Sequence, residues 1–209
     1  MKMENLRTML VGLCLMLMAL PLMASQPDQR PEQMIRASID ELMTRIEGRE
    51  DYFADNLDEL EVIVDDSLDD VADFRYIGAS VMGRYFGNAS PQQRSRFVET
   101  FRKTLIDTYA KGLVTFDYRE IRVLDNQQAS RYEDQASVAM EVVANDGSVY
   151  PVSYSLRLSD GQWKVVNVIV NGINLGLTFR NQFDQAMRDH NRDYAAVIDD
   201  WAPELAVEE

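Results

Sequence analysis

The hydrophobic period changes twice along this chain, and that change constrains the fold more than any single motif. Up to Gly112 apolar residues recur at helical spacing; from Phe116 to Val170 they alternate; after Gly172 the helical period returns. Helices, then strands, then helices is the order of an α+β domain rather than of alternating βαβ units.

In the first block, Pro31 sits at a first-turn position, followed by Met34, Ile35, Ile39, Leu42, Met43 and Ile46, with Gly48 ending the pattern. A second helix is expected from Asp55 to Leu68 and a third from Phe74 to Phe86. Ser90-Pro91-Gln92-Gln93 combines a capping serine, a first-turn proline and a glutamine placed to reach back. The helix it opens carries Phe97, Phe101, Leu105, Tyr109 and Leu113 at i, i+4.

In the second block, strands are expected at Phe116–Val123, Ala136–Val142, Val152–Leu158 and Trp163–Val170. Asn145-Asp146-Gly147 and Asp160-Gly161 supply the turns. The result is a four-stranded antiparallel meander with one apolar face. Ile173, Leu177 and Phe183 belong to a returning helix, Tyr194, Val197, Ile198 and Trp201 to a shorter last one, and Ala206–Glu209 reads as a frayed end.

Ahead of this domain stands an export leader. Lys2 and Arg7 precede an apolar run of 12 residues, Met9–Leu20, which Pro21 breaks before Ala24 and Ser25. The run is too short to span a bilayer, which takes about 20 apolar residues. Cleavage after Ala24 leaves one domain, 25–209. Cys14 lies within the leader behind Leu13, which is not the small residue a lipoprotein signal wants, so the mature domain has no cysteine for disulfides or thiol chemistry. Export without disulfides fits a bacterial periplasm. The whole chain carries 21 basic and 35 acidic residues; losing Lys2, Arg7 and Glu4 leaves 19 and 34, a formal −15. That balance argues against nucleic acid and against lasting adhesion to an anionic membrane.

Catalytic signals are weak. His190, the one histidine, lies in a polar helix end and reads as surface. Neither G-x-S-x-G, HExxH nor a phosphate-cradling glycine loop occurs. Asp65-Asp66 and Asp69-Asp70 fall in a helical stretch without a calcium-loop ligand order, and read as a solvated face. Periodicity leaves two outcomes for the apolar faces: a closed core, or one held open as a cavity.

Two blocks resemble a known family. One is Asp73-Phe74-Arg75-Tyr76-Ile77-Gly78 through Val81-Met82-Gly83-Arg84-Tyr85-Phe86, with Ser90-Pro91-Gln92-Gln93-Arg94 and Thr108-Tyr109-Ala110 beyond it. The other is Gly161-Gln162-Trp163-Lys164-Val165 to Asn171-Gly172-Ile173-Asn174-Leu175, then Phe179-Arg180-Asn181-Gln182-Phe183. Together they resemble the MlaC family, the periplasmic phospholipid-binding proteins also known for toluene tolerance. The chain departs from that pattern at Asn167, Asn171 and Asn174, where the family usually has two acids and a serine; local hydrogen bonding is the expected use of these asparagines.

The resemblance implies an NTF2/cystatin-like shape, helices clasping a curved four-stranded antiparallel sheet. It implies a monomeric carrier, with phospholipid as cargo and no cofactor, catalytic residue or metal. The implied partners are an outer-membrane Mla lipoprotein–porin complex and the substrate-binding subunit of an inner-membrane Mla ABC transporter, in a pathway that maintains outer-membrane lipid asymmetry. Each methylene kept from water is worth about 0.8 kcal/mol, so two acyl chains need shelter on the order of 20 kcal/mol, which an enclosed pocket supplies and a surface groove does not. The expected lining is Val81, Met82, Tyr85, Phe101, Leu105 and Tyr109 from helices, and Val138, Met140, Val152, Tyr154, Leu156 and Val165 from strands. Arg84, Arg94, Arg96 and Arg102 are candidates for headgroups, acidic partners or a plain solvated face. The alternative to a carrier is an exported NTF2-like interaction module of the same shape, with a closed core and no lipid.

Overall fold

The computed structural model describes residues 30–125 and 132–203; the leader with Cys14 and the stretch 206–209 lie outside the described residues. Five helices come first: α1 (Pro31–Ile46), α2 (Glu50–Asp55), α3 (Leu57–Asp69), α4 (Phe74–Met82) and, after a 3-10 segment at Gly83–Asn88, α5 (Pro91–Thr115). The sheet follows as β1 (Tyr118–Val123), β2 (Gln135–Ala144), β3 (Val149–Ser159), β4 (Gln162–Val170) and β5 (Ile173–Asn174). The chain then forms α6 (Leu175–Asp189) and α7 (Tyr194–Asp199).

Local chemistry sets most of these boundaries. Ser90 accepts from the Gln93 amide at 3.2 Å, and the Gln93 side chain accepts from the Ser90 amide at 2.8 Å: the expected capping box at the start of α5. Asp73 caps α4 through the Tyr76 amide, and Asp193 caps α7.

Four expectations need correction. The helix expected over Asp55–Leu68 begins at Leu57, because Asp55 ends a separate short helix and Asn56 leaves helical geometry at φ −131° and ψ 56°. The helix expected to run to Phe86 ends at Met82. Gly83 has φ 52° and ψ −122°, a conformation that side-chain-bearing residues avoid. Ile173 belongs to a fifth, two-residue strand rather than to a helix; the following helix starts at Leu175 with Asn174 as its cap. The sheet is thus five-stranded, in sequential antiparallel order β1-β2-β3-β4-β5.

β5 covers only the C-terminal part of the free edge of β4. The N-terminal part is covered by the α3–α4 linker: the Val165 amide donates to the Val71 carbonyl at 2.8 Å and the Asp73 amide to the Val165 carbonyl at 3.0 Å. That edge of the sheet is therefore not left as an open template for another strand. α1 packs on β1 and β2, α4 and α6 on β4, while α5 packs against α2, α3, α4 and α7.

Two bulges re-aim side chains. One, between Tyr118 and Glu120, lets Tyr118 pair with Ala144 although Ile121 pairs with Val142, so Tyr118 joins the face of Ile121 and Val123. The other follows Val165. Leu156 pairs with Val165 but Ser155 with Asn167, so Val168 and Val170 share the inner face with Val165 and Trp163. Strict alternation from Val165 would have turned Asn167 and Ile169 inward instead.

Candidate functional site

Buried apolar residues form three separate clusters rather than one core. The first joins α4, the 3-10 segment, α5, α6 and α7 around Phe97, Phe101, Phe179, Phe183 and Trp201, whose rings meet edge to face or tilted at 4.8–6.4 Å between centroids. The second is the inner face of the sheet under Ile35 of α1. The third gathers α1, α2, α3 and α5 around Phe53, Leu60 and Val64. A domain of this size ordinarily has one contiguous core. Here half-buried apolar residues fringe the clusters: Leu105 beside the first; Ile39, Val142, Tyr154, Val168 and Val170 beside the second; Met43 and Leu113 beside the third.

The α5 stripe shows where the packing opens. Phe97 and Phe101 are fully buried, Leu105 is half-buried, and Tyr109 is 42 % exposed. Yet burial pushes the Tyr109 phenol up to about 12. Tyr154, on the inner face opposite Val138 and Val168, is half-buried, and its phenol is raised chiefly by burial and then by Tyr109. Tyr118 adds to the Tyr109 shift and reaches Met43 of α1, with its hydroxyl 3.6 Å from the sulfur. Side chains from α1, α5, β1 and β3 are thus near enough to influence one another, and part of the surface of Tyr109 and Tyr154 stays uncovered.

The expected lining divides into three groups. Val81, Met82, Tyr85 and Phe101 lie together in the first cluster, and Val138, Met140, Val152, Leu156 and Val165 in the second, all buried. Leu105, Tyr109 and Tyr154 keep part of their surface uncovered. Sequence reasoning missed Met43, Tyr118, Val168 and Val170. Their apolar character was legible, but the bulges that turn Tyr118, Val168 and Val170 inward were not.

The four conspicuous arginines are engaged within the protein. Arg84 pairs with Asp184 and Arg96 with Asp199. Arg102 bridges α5 to α3 through Asp65 at 2.6 Å and Asp69 at 2.7 Å, so these acids are more than a solvated face. Arg94 lies over the Phe86 ring at 4.3 Å and donates to the Gly87 carbonyl. Asn167 accepts from the Gly176 amide and Asn174 from the Leu177 amide, each at 3.0 Å, the local bonding expected of them. Asn171 takes a positive φ of 49° at the turn into β5. His190 has a neighbour that sequence did not reveal, Asp200 at 3.5 Å from Nε2, beside the α6 C-terminus.

A cleft of about 650 Å³ lies elsewhere, between α4, α5 and the β3–β4 turn. Asp69, Arg75, Glu99, Arg102, Asp160 and Lys164 are among its lining, charges of both signs that suit water better than hydrocarbon. Among the described residues, no three His, Cys, Asp or Glu side chains are placed to hold a metal ion, and no helix is long and apolar enough to cross a membrane.

A five-stranded antiparallel sheet clasped by helices defines a mixed α+β domain. The chain belongs to the MlaC family: the family model for the MlaC protein matches residues 36–203. It is 36% identical over 196 residues to the toluene tolerance protein ttg2D of Pseudomonas putida, covering 93% of this chain and 90% of that one. It is 21% identical over 149 residues to the intermembrane phospholipid transport system binding protein MlaC of Haemophilus influenzae, covering 69% of each. Among solved structures, a phospholipid-binding protein from Ralstonia solanacearum, determined in complex with a phospholipid, superimposes with a TM-score of 0.73 at 23% identity. That match covers 82% of this chain and 94% of the other, and shares the fold.

Proposed function

We propose that this protein is a periplasmic phospholipid carrier, released by cleavage of its leader after Ala24 as a single domain over 25–209. It takes lipid between an outer-membrane Mla lipoprotein–porin complex and the substrate-binding subunit of an inner-membrane Mla ABC transporter, and so maintains outer-membrane lipid asymmetry. The observation that carries this reading is the divided core: Leu105, Tyr109, Tyr154, Val168 and Val170 keep part of their apolar surface uncovered beside the clusters, and we read that surface as the wall of an apolar gap between the sheet and α5. Leaving such surface unpacked forgoes stabilisation of about 25 cal/mol per Å², and acyl chains restore it. Family membership and the names of the relatives support the same cargo. Carriage breaks no covalent bond, so it calls for no catalytic group and no cofactor, and the domain works as a monomer. The acidic charge suits brief encounters with an anionic membrane, because repulsion favours release.

The test is direct. Mature protein purified from bacteria and extracted with organic solvent yields stoichiometric phospholipid by mass spectrometry. Protein that contains none, and acquires none from phospholipid vesicles, is instead the closed interaction module.

A further inference from the structure

A small pocket of about 190 Å³ lies where the 3-10 segment meets α6, lined by Gly83, Arg84, Tyr85, Arg180, Asn181 and Asp184 among others. Arg180, Asp184 and Arg188 stand at i, i+4 and i+8 on α6. Asp184 pairs forward with Arg188 and across with Arg84, and not back with Arg180. That choice follows from the helix: an acid N-terminal to its base is the favoured order. Arg180 is left with no hydrogen bond and no carboxylate within ion-pair reach among the described residues, although the chain has 35 acidic residues to 21 basic. Its guanidinium lies flat against Gly83 instead. A Cβ on Gly83 would stand 2.8 Å from Nε, 3.2 Å from Cζ and 3.3 Å from Nη2, so only glycine leaves room for it. Arg84 commits one nitrogen alone: Nη2 donates to Asp184 and, at 3.1 Å, to the Tyr85 hydroxyl, leaving Nε and Nη1 free. Around one carboxylate there are thus three guanidinia, two of them with open donors.

We propose that Arg84, Arg180 and Asn181 form a binding site for a phosphate group, carried by a lipid headgroup or free in solution. The open donors come from two elements and include a neutral amide, so they approach from more than one direction. A tetrahedral phosphate accepts from several directions, whereas a planar carboxylate is matched by a single fork. The Asp184 charge does not repel the anion strongly, because Arg84 and Arg188 already answer it. The volume is below the roughly 300–1,000 Å³ of sites that enclose whole small molecules, so the pocket takes a group and not an acyl chain. This site is separate from the apolar surface that carries the carrier reading, and does not depend on it.

The experiment follows the arginine Nε–H signals of the ¹⁵N-labelled mature protein by NMR. The protein is titrated with inorganic phosphate and, separately, with glycerophosphoethanolamine, with sodium chloride at matched ionic strength as the reference. The Arg84 and Arg180 signals shift to saturation, and that of Arg119 on β1 does not. Arg180→Ala, which breaks no internal bond, melts with the wild type and weakens binding about tenfold or more, as loss of a charge-assisted contact gives. Saturation by glycerophosphoethanolamine assigns the pocket to a headgroup; saturation by inorganic phosphate alone assigns it to the free ion; either supports the site. The proposal is overturned if neither probe saturates, if chloride reproduces the shifts, or if Arg180→Ala binds as tightly as the wild type. Should Arg180→Ala fail to fold, the wild-type titrations against chloride still decide. Phospholipid extracted from the same protein tests the carrier reading separately, so either can fail alone.

Discussion

Tyr109 combines partial exposure with desolvation, and its titration follows. The folded phenol is raised to about 12 against an ordinary value near 10. Between those values the folded state keeps a proton that the unfolded chain has lost, so stability falls as pH rises. Tyr109 contributes fully below pH 10, and its contribution is lost as pH climbs through 12. Urea melts across pH 9–12 are expected to show this loss, with a shallower decline in Tyr109→Phe; identical slopes would falsify the cavity-wall assignment of this phenol. Gly83 is constrained from two sides. Its φ is 52°, and a Cβ there would lie 2.8 Å from Arg180 Nε. Gly83→Ala is expected to destabilise by about 1–3 kcal/mol in urea unfolding. Adding Arg180→Ala removes the contact but not the backbone penalty, so recovery stays partial.

Among the elements, α5 serves two of the three core clusters: it supplies Phe97 and Phe101 to the first, where Leu105 packs beside them, and Ile106 and Ala110 to the third. Its start is held by the reciprocal Ser90–Gln93 bonds, so Ser90→Ala is expected to lower stability by about 1 kcal/mol, measured by thermal or urea unfolding. That cap, the i, i+4 stripe and the turn signals at Asn145–Gly147 and Asp160–Gly161 were all readable in sequence because each acts over a few neighbouring residues. The two bulges were not. A bulge is one residue too many opposite a partner strand, and neither Arg119 nor Val166 declares itself as the extra one. The consequence is large, since inserting one residue moves Val168 and Val170 to the inner face and turns Asn167 to the other, where it binds the Gly176 amide.

For the whole molecule, the divided core couples cargo to stability. A ligand that binds only the folded state adds RT ln(1 + [L]/Kd), about 2.7 kcal/mol at a hundredfold excess over Kd. Delipidated protein is expected to melt below lipid-loaded protein in calorimetry, and returning phospholipid restores the midpoint; equal midpoints would mean that the gap is closed without lipid. Leu105→Trp, on the half-buried part of the α5 stripe, is expected to lower lipid loading with little loss of stability. Val138→Trp makes the contrast. Val138 is fully buried within the cluster under α1, so a larger side chain there overpacks and unfolds rather than fills the gap.

Sequence alone determined the order of helices and strands, the caps, the turns and the apolar faces, because these follow from local spacing and backbone chemistry. It also carried the family through the Gly83–Arg84–Tyr85 and Ser90–Pro91 blocks. Only the tertiary structure decided which apolar residues seal against one another and which stand back. Phe101 and Leu105 occupy successive positions of the same stripe, yet one is sealed and the other is not. Burial is set by how far away the facing surface lies, and that distance depends on the bulges in β1 and β4 and on where α1, α4 and α6 rest on the sheet. No periodicity records it.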